Sequence, residues 1–176
     1  MTALPYGLRD VKIRPITSVA GVDMPVSRTL TFSETEEFQE LRGDDAVQAS
    51  HGSGATVEWS LESGGISLAA YAIMAGGTVT TSGTGSTMKN VYKKIKTDAR
   101  PYFQVEGQSI SDNGGDFHTL IYRCKADGSL EGEQADGAFW LTKASGKGYP
   151  SLVTTTLGAV YDFVENATTA AIIDPV

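Results

Sequence analysis

The run from Gly54 to Gly65 constrains the fold more than any other stretch of this chain. Val57, Trp59 and Leu61 fall on one phase of a two-residue repeat; Thr56, Glu58, Ser60 and Glu62 fall on the other. That period belongs to a strand with one face buried. Trp59 supplies the aromatic anchor of a core face. The opposite face carries carboxylates and hydroxyls with no cation in the run itself, so a smooth acidic surface is expected to face water.

Other stretches point to short strands too. Val11 to Ile16 alternates, with Pro15 suited to an edge, and residues 1–10 read as an extended arm. Leu30, Phe32 and Phe38 share one phase, broken by Glu34 to Glu37. The turn Arg42-Gly43-Asp44-Asp45 leads to Ala46–Ser50 and then to the run at 54–65, so 30–62 reads as a three-stranded meander. Further strands are expected at Pro101–Gly107, Phe117–Lys125, Phe139–Leu141, Ser151–Thr156 and Ala159–Glu165. On Phe117–Lys125, His118, Leu120, Tyr122 and Cys124 share one face. One helix is expected over Ile66–Met74, with Ile66, Ala69, Ala70 and Ile73 as its apolar stripe, Ser63 or Gly65 at its start and Gly76-Gly77 at its end. Trp59 should pack against Ile66, Ala70 and Ile73. Residues 76–87, rich in Gly, Thr and Ser, read as a loop or plain hairpin. The sum is a single mainly β domain over 1–176, a β-sandwich or barrel with one flanking helix and a C-terminal tail over 167–176.

Composition narrows the function classes. Net charge is −7, which argues against a protein that binds nucleic acid by neutralising phosphate. A single cysteine, Cys124, rules out an internal disulfide framework. The first ten residues lack a basic region followed by an apolar run, so synthesis in the cytosol without a signal peptide is expected, and no run is apolar enough to span a membrane. The sequon at Asn166-Ala167-Thr168 then reads as chance. Gly146-Lys147 lacks the other residues of a phosphate-binding loop, and the glycines around Thr84 are a weak substitute. Two histidines, His51 and His118, far apart in the chain, do not make a metal site, even with Cys124 beside His118. No nucleophile elbow exists. Glu58 and Glu62 share a face but lie ~13 Å apart by strand rise, beyond the ~5–9.5 Å of a glycosidase pair. Arg42-Gly43-Asp44 has the chemistry of a tight turn. The expected catalytic, metal and cofactor complement is therefore none.

Charge is distributed unevenly. Residues 34–62 are acidic, with Asp44 and Asp45 at a turn, and residues 89–100 are basic through Lys89, Lys93, Lys94, Lys96 and Arg100. Two solvated faces are the plain interpretation. The sharper one is a head-to-tail contact between copies, Lys93, Lys94 and Lys96 of one against acids of the next, which can close a ring.

Phe38 to Asp45, His51 to Ile66, Tyr122 to Gly128 and Val160 to Asn166 resemble the major tail tube proteins of long-tailed (siphovirus-type) bacteriophages, over about residues 10–170. The resemblance implies a β-sandwich with a flanking helix, assembled in hexameric rings that stack into a tube. It also implies a structural virion protein of the phage tail, assembled in the host cytoplasm. The implied partners are copies of itself, a tape measure protein, tail terminator and tail tip proteins, and double-stranded DNA passing without specific binding. Thr56, Glu58, Ser60 and Glu62 would line the lumen, where carboxylates repel phosphate. A tube of a contractile or secretion-type injection machine shares this architecture. A small-molecule binder or enzyme built in a β-barrel is the reading from another class.

Overall fold

The computed structural model describes residues 3–18 and 20–172. Eleven strands, β1 (Pro5–Pro15), β2 (Val22–Asp23), β3 (Ser27–Gly43), β4 (Ala46–Gly64), β5 (Thr78–Ser82), β6 (Lys89–Lys93), β7 (Phe103–Ser111), β8 (Asp116–Lys125), β9 (Leu130–Gly132), β10 (Leu141–Gly148) and β11 (Tyr161–Asn166), accompany one helix, α1 (Leu68–Ala75). The main sheet runs β2-β1-β7-β8-β10-β4-β3, with β11 added to β8 and β9 to β10; β5 and β6 form a separate hairpin.

The main sheet folds over because β8 changes partner along its length. Asp116 to Ile121 pair with β11, whereas Cys124 and Lys125 pair with Gly148 and Lys147 of β10. The inner faces of the two halves then meet. Val11, Ile13, Phe103, Val105 and Ile121 come from one side, and Val57, Trp59 and Leu61 from the other. Trp59 meets Phe103 edge to face at 5.6 Å between centroids, a favoured aromatic geometry. Leu30 of β3 rests on Gly107 of β7, where a methyl group would sit 2.5 Å from Leu30 Cδ2. The result is a β-sandwich with one flanking helix, the expected fold class.

Several expectations need correcting. Residues 5–10 of the expected extended arm are extended and belong to β1, which starts at Pro5 and pairs with β7 as far as Ser111, across an irregularity between Tyr6 and Asp10. Residues 30–62 are not a meander but most of one long hairpin, β3 with β4. The Glu34–Glu37 interruption and the glycines at 52–54 fall within its two strands; register shifts between Glu36 and Phe38, where Gly54 has φ 94°. That is a bulge, one extra residue in β4. Residues 78–82 form β5, and part of the basic segment forms β6 beside it. Phe139 and Trp140 precede β10 rather than belonging to it. Residues 154–156 form a 3-10 turn in place of a strand.

Helix α1 starts later than expected. Ser67 caps it by accepting the Ala70 N–H at 3.3 Å, and Gly76 ends it with φ 76°. Its buried residues are Ala70, Met74 and Ala75, whereas Ile66 precedes the helix and is exposed. The helix lies on β1, β2 and the β5–β6 hairpin. Ala70 shares the core cluster with Trp59, and Ile73 packs against that cluster; Ile66 does not join it, and the ring facing Trp59 is that of Phe103.

A second bulge, in β8, overturns the shared face of His118 and Cys124. Val105 pairs with Ile121 but Phe103 pairs with Cys124, so β8 carries one extra residue between them. Cys124 thereby joins Ile121 in the core, where burial pushes its thiol well above the usual range. His118 stays on the other face, among hydrogen-bonding groups.

Candidate assembly surface

The β3–β4 hairpin reaches beyond the sandwich. Its tip is a two-residue turn in which Asp44 and Asp45 take φ 51° and 60°. Positive φ at both central residues is the turn that matches strand twist, and short polar residues tolerate it. The hairpin's root is fixed by rings: Phe32 lies 4.7 Å from Tyr161 and 5.4 Å from Phe163. The Tyr161 hydroxyl donates to Glu34 at 2.5 Å, which raises the phenol's pKa.

Past that root the chain is bare. From Ser33 to Thr56 all residues are exposed except Gly43, Gly52 and Ala55, which are half-buried. Exposed apolar side chains are Phe38, Leu41 and Val47. The acids are Glu34, Glu36, Glu37, Glu40, Asp44 and Asp45, against Arg42, which pairs with Glu40 at 2.9 Å. Phe38 covers Gly52 from the opposite strand; a methyl there would sit 3.2 Å from its ring. Thr35 and Thr56 bond across the strands at 3.1 Å. Strand β3 is also the terminal strand of the sheet order, so its outer edge has no partner strand among the described residues.

The expected lumen set, Thr56, Glu58, Ser60 and Glu62, does share the outward face of β4 opposite the buried Val57, Trp59 and Leu61. It is not free of cations. Strand β10 places Lys147 opposite Glu58 and Lys143 opposite Glu62. Glu62 pairs with Lys143 at 3.5 Å and with Arg28 at 3.4 Å. Thr31 and Ser60 bond at 2.6 Å, and a shallow depression of about 360 Å³ opens beside Ser60, Ser145 and Lys147. The smooth acidic surface foreseen from one strand is therefore a mixed-charge surface, because neighbouring strands bring the counter-charges.

The basic segment divides in two. Lys94 donates to the Ala75 carbonyl and to the Asp98 carbonyl at 3.3 Å. It thus serves the last turn of α1, where a cation suits the helix dipole. Arg100 donates to Ala126 O and, at 2.7 Å, to Gly128 O. Lys89, Lys93, Lys94 and Lys96 are all exposed. Lys89, Val91 and Lys93 share the outward face of β6, while Tyr92 turns inward, its hydroxyl donating to Gly76 O at 2.7 Å. Among the described residues no ion pair joins this hairpin to Asp44 or Asp45.

A buried polar layer, missed in the sequence, lies on the opposite face of β7 and β8. Asp116 is fully buried and accepts from His118 Nε2 (3.0 Å), Gln108 Nε2 (2.7 Å), Asn166 Nδ2 (2.8 Å) and Ala170 N (2.9 Å). Desolvation would raise its pKa, but the bonds from Ala170, Asn166, Gln108 and His118 outweigh it and lower the pKa to about 2. His118 Nδ1 lies 3.3 Å from Glu106. Beside them burial, reinforced by the bond to Asp162, pushes the Tyr122 phenol up to about 12. Both ring nitrogens of His118 face carboxylates, so the imidazole is engaged within the layer, which fastens residues 167–172 to β7 and β8. Residues 167–172 lie over it through Ala170; positions 173–176 of the expected tail lie outside the described residues. Glu106, Gln108 and Asp116 left a faint trace as the polar phase of alternating strands, which normally marks solvent.

Among the described residues no three His, Cys, Asp or Glu side chains converge on a metal position, and no helix is long and apolar enough to cross a membrane. Comparison of the chain with protein-family models finds no match, and comparison with curated proteins finds none either.

Proposed function

We propose that this chain is a structural protein that polymerises with copies of itself into stacked, closed rings, a tail tube of the siphovirus type. The observation that carries the proposal is the β3–β4 hairpin: 17 and 19 residues of strand, exposed on both faces beyond its root and unpaired along its outer edge. An isolated two-stranded hairpin is marginal in water, and a long open edge invites pairing with another chain. A partner copy resolves both problems. Heterologous contacts of this kind close into rings or run on as fibres. The resemblance gives the count, six to a ring, and the cargo, a tape measure protein and then duplex DNA.

Within this reading the acidic hairpin meets the exposed Lys93 and Lys96 of a neighbour. Lys94, also exposed, joins that contact while its amine donates to the Ala75 carbonyl. Thr56, Glu58, Ser60 and Glu62 remain the proposed lumen face, where hydroxyls and internally paired charges leave DNA little net charge to grip. The distal hairpin is the more strongly acidic surface. The reading needs no cofactor and no catalysis. Electron microscopy of the concentrated protein is the test. Long hollow fibres are expected, and a monodisperse monomer at every concentration would overturn it.

A further inference from the structure

We infer that Phe139 of one copy inserts into an apolar cavity at the opposite end of the sandwich of the next, making a directional knob-and-socket contact. This rests on the self-assembly reading and names one of its joints.

Phe139 is 95% exposed, the most exposed of the large hydrophobic side chains described. Its base is braced. Gly137 takes φ 72°, Ala138 N–H donates to Ala135 O at 3.3 Å, and Trp140 Nε1 donates to Thr142 Oγ1 at 3.2 Å. The adjoining Trp140 ring covers Gly132. A rigidly presented aromatic ring loses little freedom on docking, the property that makes such residues dominate interfaces. Exposed Glu131 and Glu133 line one hollow with it, together with Lys143, and exposed Asp136 lies three positions before it.

The socket is a cavity of about 350 Å³ whose apolar walls are Pro15, Ile16, Pro101, Tyr102, Leu152 and Val153. Leu152 is 68% exposed despite lying in a concave wall. The Tyr102 ring is held by the Arg123 guanidinium at 4.1 Å, Lys125 Nζ at 5.0 Å and the Tyr149 ring at 5.8 Å. The loop that carries Leu152 is closed by Ser151 N–H on Ala159 O at 2.7 Å and Gly158 N–H on Ser151 O at 3.0 Å. Arg123 therefore lines the apolar hole, with Lys125 on the same Tyr102 ring, and Glu131 and Glu133 outnumber Lys143 beside the apolar knob. Complementary potentials of this kind orient a docking pair.

Placement keeps the knob and the socket of one copy apart. Phe139 comes just before β10 and Tyr149 just after it. The two features are thus separated by the length of that strand, ~30 Å by strand rise. The knob cannot reach its own socket, so another copy must fill it. Within the self-assembly reading each copy fills the socket of the next, the head-to-tail contact that builds rings and tubes.

The test uses the full chain. Phe139→Ser should leave the circular dichroism spectrum and melting temperature unchanged, because the side chain touches little of its own fold. It should raise the concentration at which assemblies appear in sedimentation velocity by about tenfold or more, as loss of an interface hot spot does. Leu152→Glu should do the same. A mixture of Phe139→Cys and Leu152→Cys chains should give disulfide-linked dimers under mild oxidation, each variant alone should give few, and the buried Cys124 should not compete. If wild type assembles but Phe139→Ser assembles equally well and no cross-link forms, the inference is overturned and the self-assembly reading stands. If Leu152→Glu alone blocks assembly, another segment fills the socket and the inference is again overturned. A wild-type chain that remains monomeric overturns both.

Discussion

Strands β3 and β4 each pass through two environments. Near the sandwich, Phe32 lies among Trp59, Tyr161 and Phe163, and Val57, Trp59 and Leu61 are all but fully buried. Beyond Thr35 the same two strands continue the same ladder with water on both faces. Burying one large apolar side chain contributes about 1.5–3 kcal/mol, whereas a cross-strand pair contributes about 0.2–1 kcal/mol. The root is therefore held by burial and the distal half by little more than its ladder. A regular strand is no proof of local stability; what covers it decides, and none of the described residues covers the distal hairpin.

The comparison can be broken from the root. Trp59→Ala should cost about 3–5 kcal/mol, the range for truncating a buried aromatic, read from the midpoint of denaturant unfolding. A loss under about 1 kcal/mol would mean that the root is not held by burial. Trp59→Phe sharpens the point, since the indole Nε1 is buried without a hydrogen-bond partner. That variant should lose much less than alanine does.

Next in size is Asp116→Asn. It keeps the shape but presents one amide in place of an acceptor that takes four donors. The expected loss is about 1–3 kcal/mol, with release of residues 167–172 visible as faster amide exchange at Ala170. The wild-type pH dependence has a defined sign. A carboxyl whose pKa is about 2 when folded and about 3.9 when unfolded contributes stability that is complete above pH ~4 and is lost as pH falls toward 2. The Asn variant should show a flatter acid limb than wild type. Equal limbs would place the acid sensitivity elsewhere.

Lys94→Ala should cost about 0.3–1 kcal/mol by uncapping α1, with helical circular dichroism reduced, whereas Lys93→Ala should leave the monomer unchanged. Equal effects would mean that the carbonyl contacts of Lys94 do not matter. The smallest expected change in monomer stability belongs to the distal hairpin. Phe38→Ser with Val47→Ser should stay within about 0.5 kcal/mol, yet delay assembly followed by light scattering. A large stability loss would show that the distal hairpin is packed within its own chain.

The legible parts of this fold were those set by local pattern. The phase of Val57, Trp59 and Leu61 fixed the buried face, Gly43-Asp44-Asp45 marked a turn, and Gly76 marked the end of the helix. Gly52 and Gly54 misled because a glycine that relaxes a bulge looks the same in sequence as one that ends a strand. The extra residue in β8 sent Cys124 to the core and left His118 outside it, a change of phase with no signature in residue type. Glu58 and Glu62 read as unopposed acids because Lys143 and Lys147 arrive from a strand more than eighty positions later. The polar layer around Asp116 was hidden for the same reason. Gln104, Glu106 and Gln108 alternate like solvent-facing residues, and their lid is a segment distant in the chain.

That lid also sets an order of events during synthesis. Asp116, His118 and Glu106 leave the ribosome some fifty residues before Ala170, so the face they share stays wet until the closing segment arrives. Domain chains grow from the N-terminus and fold as their parts become available. The body can collapse around Trp59 and Phe103 early, while the outer polar face of β7 and β8 is sealed last. Nascent chains arrested before and after residue 170 should differ in protease sensitivity on that face alone, so the fastening of residues 167–172 is a step separable from collapse of the core.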